Sequence, residues 1–113
     1  MTKYDLELRT KKFSLNILKL CRNLPTNIIN RRLIDQLVRA STSIGANYRE
    51  ANECDTRKDL KNKIRIAKKE ARETTYWLDL VSDNNPITRR DIDSLKEESL
   101  QLMRILATIY LKI

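Results

Sequence analysis

Histidine is absent from this sequence of 113 residues, which also contains one glycine, two prolines and two cysteines. Without histidine the chain lacks the commonest general base and the commonest metal ligand. A single glycine excludes a glycine-rich phosphate loop, and Cys21 and Cys54 are too far apart to form a CxxC motif. Carboxylate pairs such as Glu70 with Glu73 lack the ExxH motif of di-iron bundles. We therefore expect a protein that is not an enzyme and needs no cofactor or metal.

Long apolar runs are missing as well. No stretch approaches the roughly 20 apolar residues that a membrane span needs. The first residues, MTKYDLELRTKK, contain no hydrophobic core of a signal peptide. The expectation is a cytoplasmic protein without a membrane partner.

Charge is abundant. Asp, Glu, Lys and Arg make up 34% of the residues, and the formal net charge is +8. The positive excess lies in the first third of the chain and between Arg57 and Arg72. This balance favours anionic partners, of which nucleic acid is the commonest. The alternative is a solvated basic surface without a ligand.

Apolar periodicity predicts four helices, because glycine and proline are scarce and apolar residues recur at steps of three and four. Thr26 or Asn27 is expected to cap the second helix, Asp55 or Thr56 the third and Thr88 the fourth. The segment SDNNP after Val81 is predicted to be a turn, since proline restricts the residue before it. The expected bounds are Asp5 to Asn23 for the first helix, an end near Cys54 for the second, and Arg57 to Val81 for the third.

Short links between these helices predict an all-α, up-down-up-down four-helix bundle formed by residues 1–113 as one domain. A three-helix core with the first helix detached is an alternative, which would leave Phe13 and Ile17 exposed. The third and fourth helices carry more apolar residues than one seam can bury, which indicates a homo-oligomer. The residues expected at the subunit interface are Ile66, Trp77, Leu100, Met103 and Tyr110.

The third helix combines its apolar seam with a basic sector on neighbouring and opposite faces. Regularly spaced Lys and Arg can contact successive phosphates and release counterions, independently of base sequence. Tyr76 alone lies at the edge of this sector, too little for a base-stacking platform. The candidate nucleic-acid-binding residues are Lys58, Lys61, Arg65, Lys68, Lys69 and Arg72, extended by Arg31 and Arg32.

The segment RASTSIGANYREA in the second helix is rich in small residues. Gly45 costs about 1 kcal/mol of helix propensity relative to alanine, which indicates a packing or functional reason for it. One sector of this helix forms a polar stripe of Arg39, Ser43, Asn47 and Glu50. The stripe either binds a ligand or, as we favour, forms a hydrogen-bonded network in which Arg39 pairs with Glu50 or Glu70.

The segments QLVRASTSIGANYREAN and RIAKKEARETTYWLDL resemble the bacterial four-helix-bundle family named for proteins encoded in intervening sequences of large-subunit ribosomal RNA genes. A more distant similarity is to the accessory variability determinant of diversity-generating retroelements. Where many members have Glu-Gly after the asparagine, this chain continues with Arg49 and Glu50, which leaves the helix end less clearly marked. The matching residues are Arg39, Ser43, Ile44, Asn47, Glu50, Glu73, Trp77 and Leu78.

This resemblance implies a homopentameric ring of bundles with a basic surface. For the retroelement relatives it also implies binding of RNA or DNA and of a reverse transcriptase. The sequence thus predicts a non-enzymatic, oligomeric protein that binds nucleic acid through its backbone. The alternative is a protein-interaction scaffold whose basic surface binds no nucleic acid.

Overall fold

Four long helices form the structure, a computed structural model that describes residues 1–113. No strand is present. A short 3-10 turn, Pro86–Thr88, precedes the last helix. The helices are α1 (Lys3–Arg22), α2 (Ile28–Asn52), α3 (Arg57–Asn84) and α4 (Arg89–Lys112).

Side-chain caps start the first three helices. The Thr2 hydroxyl accepts a hydrogen bond from the Asp5 amide at 3.2 Å, and the Asp5 carboxylate accepts one from the Thr2 amide at 2.8 Å. These bonds hold the pKa of Asp5 below its usual value. Asn27 caps α2 and Thr56 caps α3, each accepting from an amide three residues on. Both caps were among the predicted alternatives, because side-chain oxygens satisfy amides that lack a partner in the first turn.

Each helix runs antiparallel to the next, so the bundle has the predicted up-down-up-down topology. Helix α1 packs against α2 and α4, and α3 packs against the same two helices, which places α1 and α3 diagonally. The core draws on all four helices, and Phe13 and Ile17 of α1 are fully buried in it. The three-helix alternative is therefore wrong.

A bidentate ion pair fastens α1 to α4. Arg9 donates from Nε and Nη2 to the two carboxylate oxygens of Glu98 at 2.8 and 2.7 Å, and Nη2 also donates to Gln101 at 2.8 Å. The hydrogen bonds to Glu98 raise the pKa of Arg9. Paired forks of this kind are among the stronger polar contacts at a protein surface.

Gly45 lets α1 approach α2 closely. A Cβ atom at this position would lie 2.9 Å from Thr10 Oγ1 and 3.2 Å from Thr10 Cβ. The predicted packing reason for the glycine is thus the passage of Thr10 against the α2 backbone.

The structure corrects two predictions at the end of α3. The helix continues beyond Val81 to Asn84, because Pro86 restricts only Asn85, which leaves the helical region at φ −136° and ψ 71°. Thr88 does not cap α4 with its side chain. It has helical backbone angles, and its hydroxyl instead donates to the Asn85 carbonyl at 2.6 Å.

An uncharged amide pair joins the start of α2 to the end of α3. Asn30 Nδ2 donates to Asn85 Oδ1 at 3.0 Å, and Asn85 Nδ2 donates back to Asn30 Oδ1 at 2.9 Å. Asn84 adds a third bond to Asn30 Oδ1 at 3.1 Å. Asn30 and Asn85 are both buried, so each would be costly to leave without a partner.

Candidate nucleic-acid interface

The predicted basic face of α3 lies on the outside of the bundle because Ile64, Ala67 and Ala71 turn the opposite side of the helix into the core. None of its six cationic side chains forms an ion pair with an acid of the same chain. Most of the face is open to solvent, and only Lys61 and Lys68 are half-buried. The charges are therefore available to an external anion.

Tyr110 of α4 lies beside this face. Lys61 Nζ is 4.7 Å and Lys68 Nζ 4.9 Å from the centre of the Tyr110 ring. Between them on α3, Arg65 Nη2 donates to Asn62 Oδ1 at 3.0 Å. A groove of about 300 Å³ opens here, lined by Lys58, Asp59, Lys61, Asn62, Arg65 and Tyr110.

Arg31 and Arg32 are exposed but lie far from this groove. They follow Asn30, which contacts Asn84 and Asn85 at the C-terminal end of α3. A 28-residue helix is about 40 Å long, at 1.5 Å per residue. The structure therefore brings the six α3 residues together and leaves the two arginines at the opposite end of the bundle.

The polar stripe of α2 makes contacts within the chain, chiefly with α3. Arg39 Nη1 donates to Glu70 Oε2 at 3.1 Å, and its Nη2 pairs with Glu73. Glu50 pairs with Lys63 at 3.4 Å, not with Arg39. Ser43 and Asn47 donate to carbonyls of their own helix at 2.6 and 2.8 Å.

Arg39 compensates a carboxylate that is almost out of solvent. The Glu70 side chain is 11% exposed and the Arg39 side chain 47%. Glu73 also accepts a hydrogen bond from Trp77 Nε1 at 3.0 Å. Because an unpaired buried carboxylate is expensive, Arg39 stabilises the α2–α3 contact.

The five residues expected at a subunit interface are all half-buried in the single chain. Trp77, Met103 and Tyr110 pack against the margin of the core, while Ile66 and Leu100 do not belong to that margin. Part of the apolar surface predicted for a second copy is thus covered by the chain itself.

A more exposed apolar face lies on α1, where no site was predicted from the sequence. Tyr4, Leu8 and Leu15 are 63%, 64% and 52% exposed. They recur at steps of four and seven, a helical spacing that differs from the buried seam of Leu6, Phe13 and Ile17. That second spacing is the signal that would have revealed the face.

The pKa values of the partly buried Cys21 and the buried Tyr48 are raised. Burial raises the pKa of the Cys21 thiol to about 11. Burial also raises the pKa of Tyr48, whose hydroxyl donates to the Lys3 carbonyl at 3.2 Å.

No group of three or more Cys, Asp or Glu side chains is placed to hold a metal ion. None of the helices combines the length and apolar character that crossing a membrane requires.

The fold and its charged surface define a class, the basic all-α four-helix-bundle proteins. Within that class the chain belongs to the family described as 23S rRNA-intervening sequence protein, whose model matches residues 3–108. This confirms the resemblance found in the sequence. None of the curated proteins matches the chain.

The chain is closely similar to a solved structure. It is a crystal structure of a protein with unknown function from the S23 ribosomal protein family of Bacteroides thetaiotaomicron. The two chains are 34% identical and superpose with a TM-score of 0.83. The match covers 92% of this chain and 96% of that one, so the similarity extends over the whole bundle.

Proposed function

We propose that this protein is a non-enzymatic nucleic-acid-binding protein that contacts RNA or DNA through the basic face of α3. The observation that carries the proposal is the row of six cationic side chains without an acidic partner in the chain. Each contact with a phosphate releases counterions, which gives affinity that depends on salt and little on sequence. Arg31 and Arg32 lie beside the C-terminal end of α3, about 20 Å along the helix axis from Arg72 and about 40 Å from Lys58, so only a nucleic acid that spans this distance would engage them as well.

RNA is the first ligand to test. The description of the family refers to 23S rRNA, and that of the similar crystal structure refers to a ribosomal protein family. Neither description assigns a ligand to this chain, but both favour RNA over DNA as the probe.

We further propose that residues 1–113 act as one domain that assembles into a ring, a pentamer as the resemblance implies. The half-buried Ile66 and Leu100 and the exposed Tyr4, Leu8 and Leu15 supply apolar surface for such contacts. In a ring the basic face repeats around the axis, so weak phosphate contacts add by avidity.

A salt titration with a single-stranded RNA tests the binding proposal. Six phosphate contacts predict that log K falls with log salt with a slope of about −4, a loss of several hundredfold between about 50 and 200 mM salt. Affinity that is absent, or that changes little over this range, would exclude phosphate contacts as the basis of function.

Reversing charge on α3 locates the binding face. The triple variant K61E/R65E/K68E should abolish RNA binding while circular dichroism shows an intact bundle. The matched control is K11E/K12E/K19E on α1, which makes the same charge change on exposed residues of the diagonal helix. Equal losses in both variants would show that net charge, rather than the α3 face, determines binding.

Light scattering tests assembly. One chain has a mass of 13.3 kDa, so a pentamer should scatter as a particle of about 66 kDa. A stable monomer at micromolar concentration would contradict the ring.

A protein-interaction scaffold is the second candidate, and the exposed Tyr4, Leu8 and Leu15 favour it. Such a scaffold would lose its partner on replacement of Leu8 by aspartate and keep it in the α3 triple variant. A reverse transcriptase as a partner of the nucleic-acid-binding protein, and a cytoplasmic location, stay predictions.

A further inference from the structure

Lys61 and Lys68 of α3 both contact the ring of Tyr110 in α4. Lys61 and Lys68 are seven residues apart, about 10 Å along the helix axis. Both ammonium groups nevertheless lie within 5 Å of the Tyr110 ring centre. Attraction between a cation and the face of an aromatic ring holds flexible lysine side chains in place. We refer to Lys61, Lys68 and Tyr110 together as the tyrosine clamp.

The clamp gathers positive charge without compensation. Neither lysine has an acidic partner, and Arg65, which lies between them on α3, has none either. The only carboxylate lining the groove belongs to Asp59. Asp59 lies in the first turn of α3, where its negative charge interacts favourably with the positive end of the helix dipole. Positive charge that no carboxylate neutralises favours the binding of an anion beside these side chains.

The groups of the clamp select the kind of anion. Lysine ammonium and arginine guanidinium groups can only donate hydrogen bonds. Asn62 holds the Arg65 guanidinium through Nη2, leaving its other donors free. A phosphate offers several acceptor oxygens and no competing donor, which matches this set. The groove of about 300 Å³ is at the small end of ligand sites, large enough for one phosphate and its sugar.

We infer that the tyrosine clamp and Arg65 form a phosphate site that binds an internal phosphodiester of single-stranded RNA and contributes more affinity than the rest of the α3 face. The inference rests on the proposed function. Tyr110 is a positioning residue in this site, because its ring holds the two lysines before the ligand arrives. Pre-ordered lysines lose less side-chain freedom on binding than the unrestrained cations elsewhere on the helix.

Paired variants with equal charge change test the inference. A fluorescein-labelled single-stranded RNA of about 20 nucleotides is titrated by anisotropy against wild type, K61A/K68A and K69A/R72A. Each double variant removes two positive charges from α3, but only Lys61 and Lys68 lie against the Tyr110 ring. We expect the control to lose the affinity of two phosphate contacts, and the clamp variant to lose about fivefold more than the control.

Tyrosine variants separate the ring from the hydroxyl. Tyr110→Phe keeps the aromatic face and should bind within about twofold of wild type, whereas Tyr110→Leu removes it and should lose about fivefold. Thermal unfolding by circular dichroism accompanies each variant, because Tyr110 packs at the core margin. Where Tyr110→Leu fails to fold, the comparison of the two lysine and arginine double variants decides alone.

The outcomes are distinct. Equal losses in K61A/K68A and K69A/R72A would overturn the clamp while leaving the proposed function in place. Absence of RNA binding by the wild type would overturn both. An RNA with a 5′ phosphate that binds more than tenfold tighter than the same RNA with a 5′ hydroxyl would overturn the assignment to an internal phosphodiester. Similar affinities for these two RNAs, with the clamp variant weakest, are the expected result.

Discussion

Replacing Gly45 by alanine tests the close contact of α1 with α2. In the helix, alanine gains about 1 kcal/mol of propensity over glycine. Against this, the new Cβ would lie 2.9 Å from Thr10 Oγ1 and 3.2 Å from Thr10 Cβ, both closer than van der Waals contact. Overpacking a well-filled site costs about 1–3 kcal/mol. The expected net change is a loss of stability of up to about 2 kcal/mol.

Thr10 has little freedom to avoid the new methyl group. Its hydroxyl donates to the carbonyls of Leu6 at 3.0 Å and Glu7 at 2.9 Å, and the residue is 1% exposed. As a β-branched residue in a helix it has few rotamers, and its Cβ moves only with the backbone. Relief therefore requires α1 to shift away from α2.

Urea unfolding at one fixed protein concentration measures the effect, since assembly would otherwise change the apparent stability. Ala46→Gly, at the exposed neighbouring position, measures the propensity difference in this same helix. The double variant T10A/G45A removes the contact with Oγ1 and keeps the contact with Cβ, so it should recover part of the stability, with a coupling of about 1 kcal/mol. If Gly45→Ala instead stabilises the protein by as much as Ala46→Gly destabilises it, the close contact does not exist.

Two further predictions concern the buried Asn30 and the partly buried Cys21. Asn30→Ala should lower the free energy of unfolding by about 1–3 kcal/mol, because it leaves the buried Asn85 Oδ1 without its donor, while Asn85 Nδ2 keeps its bond to the Val81 carbonyl. The double change with Asn85→Ala should cost less than the sum of the two single changes, and simple additivity would contradict the pair. In a C54S background, Cys21 should react with iodoacetamide at pH 8 about a hundredfold more slowly than the unfolded chain, because burial raises its pKa to about 11 from 9.0. Because the thiol ionises at lower pH in the unfolded chain, the free energy of unfolding should fall as the pH rises from about 9 to 11. Equal alkylation rates for the folded and unfolded chains would refute the raised pKa and this pH dependence together.

Features that depend on one helix could be predicted from the sequence. The spacing of Ile64, Ala67 and Ala71 defines which side of α3 is buried, and so where its lysines and arginines point. Most contacts between helices could not be predicted, because they depend on how far one helix is shifted along another. The Arg39–Glu70 pair was predicted only as one of two alternatives. Tyr110 was expected at a subunit interface, and nothing in its own helix indicates that it lies beside Lys61 and Lys68.

The end of α3 shows a second limit. A proline restricts the conformation of one preceding residue, so the turn signal of SDNNP applies to Asn85 and leaves Ser82 free to remain helical. Asn84 then reaches Asn30 across the bundle, a contact that stabilises the extra turn. Helix ends therefore depend on tertiary partners that local sequence does not contain.

The contact between α2 and α3 is fastened differently at its two ends. At one end the Asn30–Asn85 pair carries no charge and so responds to neither pH nor added electrolyte. At the other end Glu50 and Lys63 attract each other through partly hydrated side chains, an attraction that dissolved ions weaken. A high salt concentration should therefore weaken the contact between α2 and α3 near the start of α3, while the asparagine pair at the other end is unaffected.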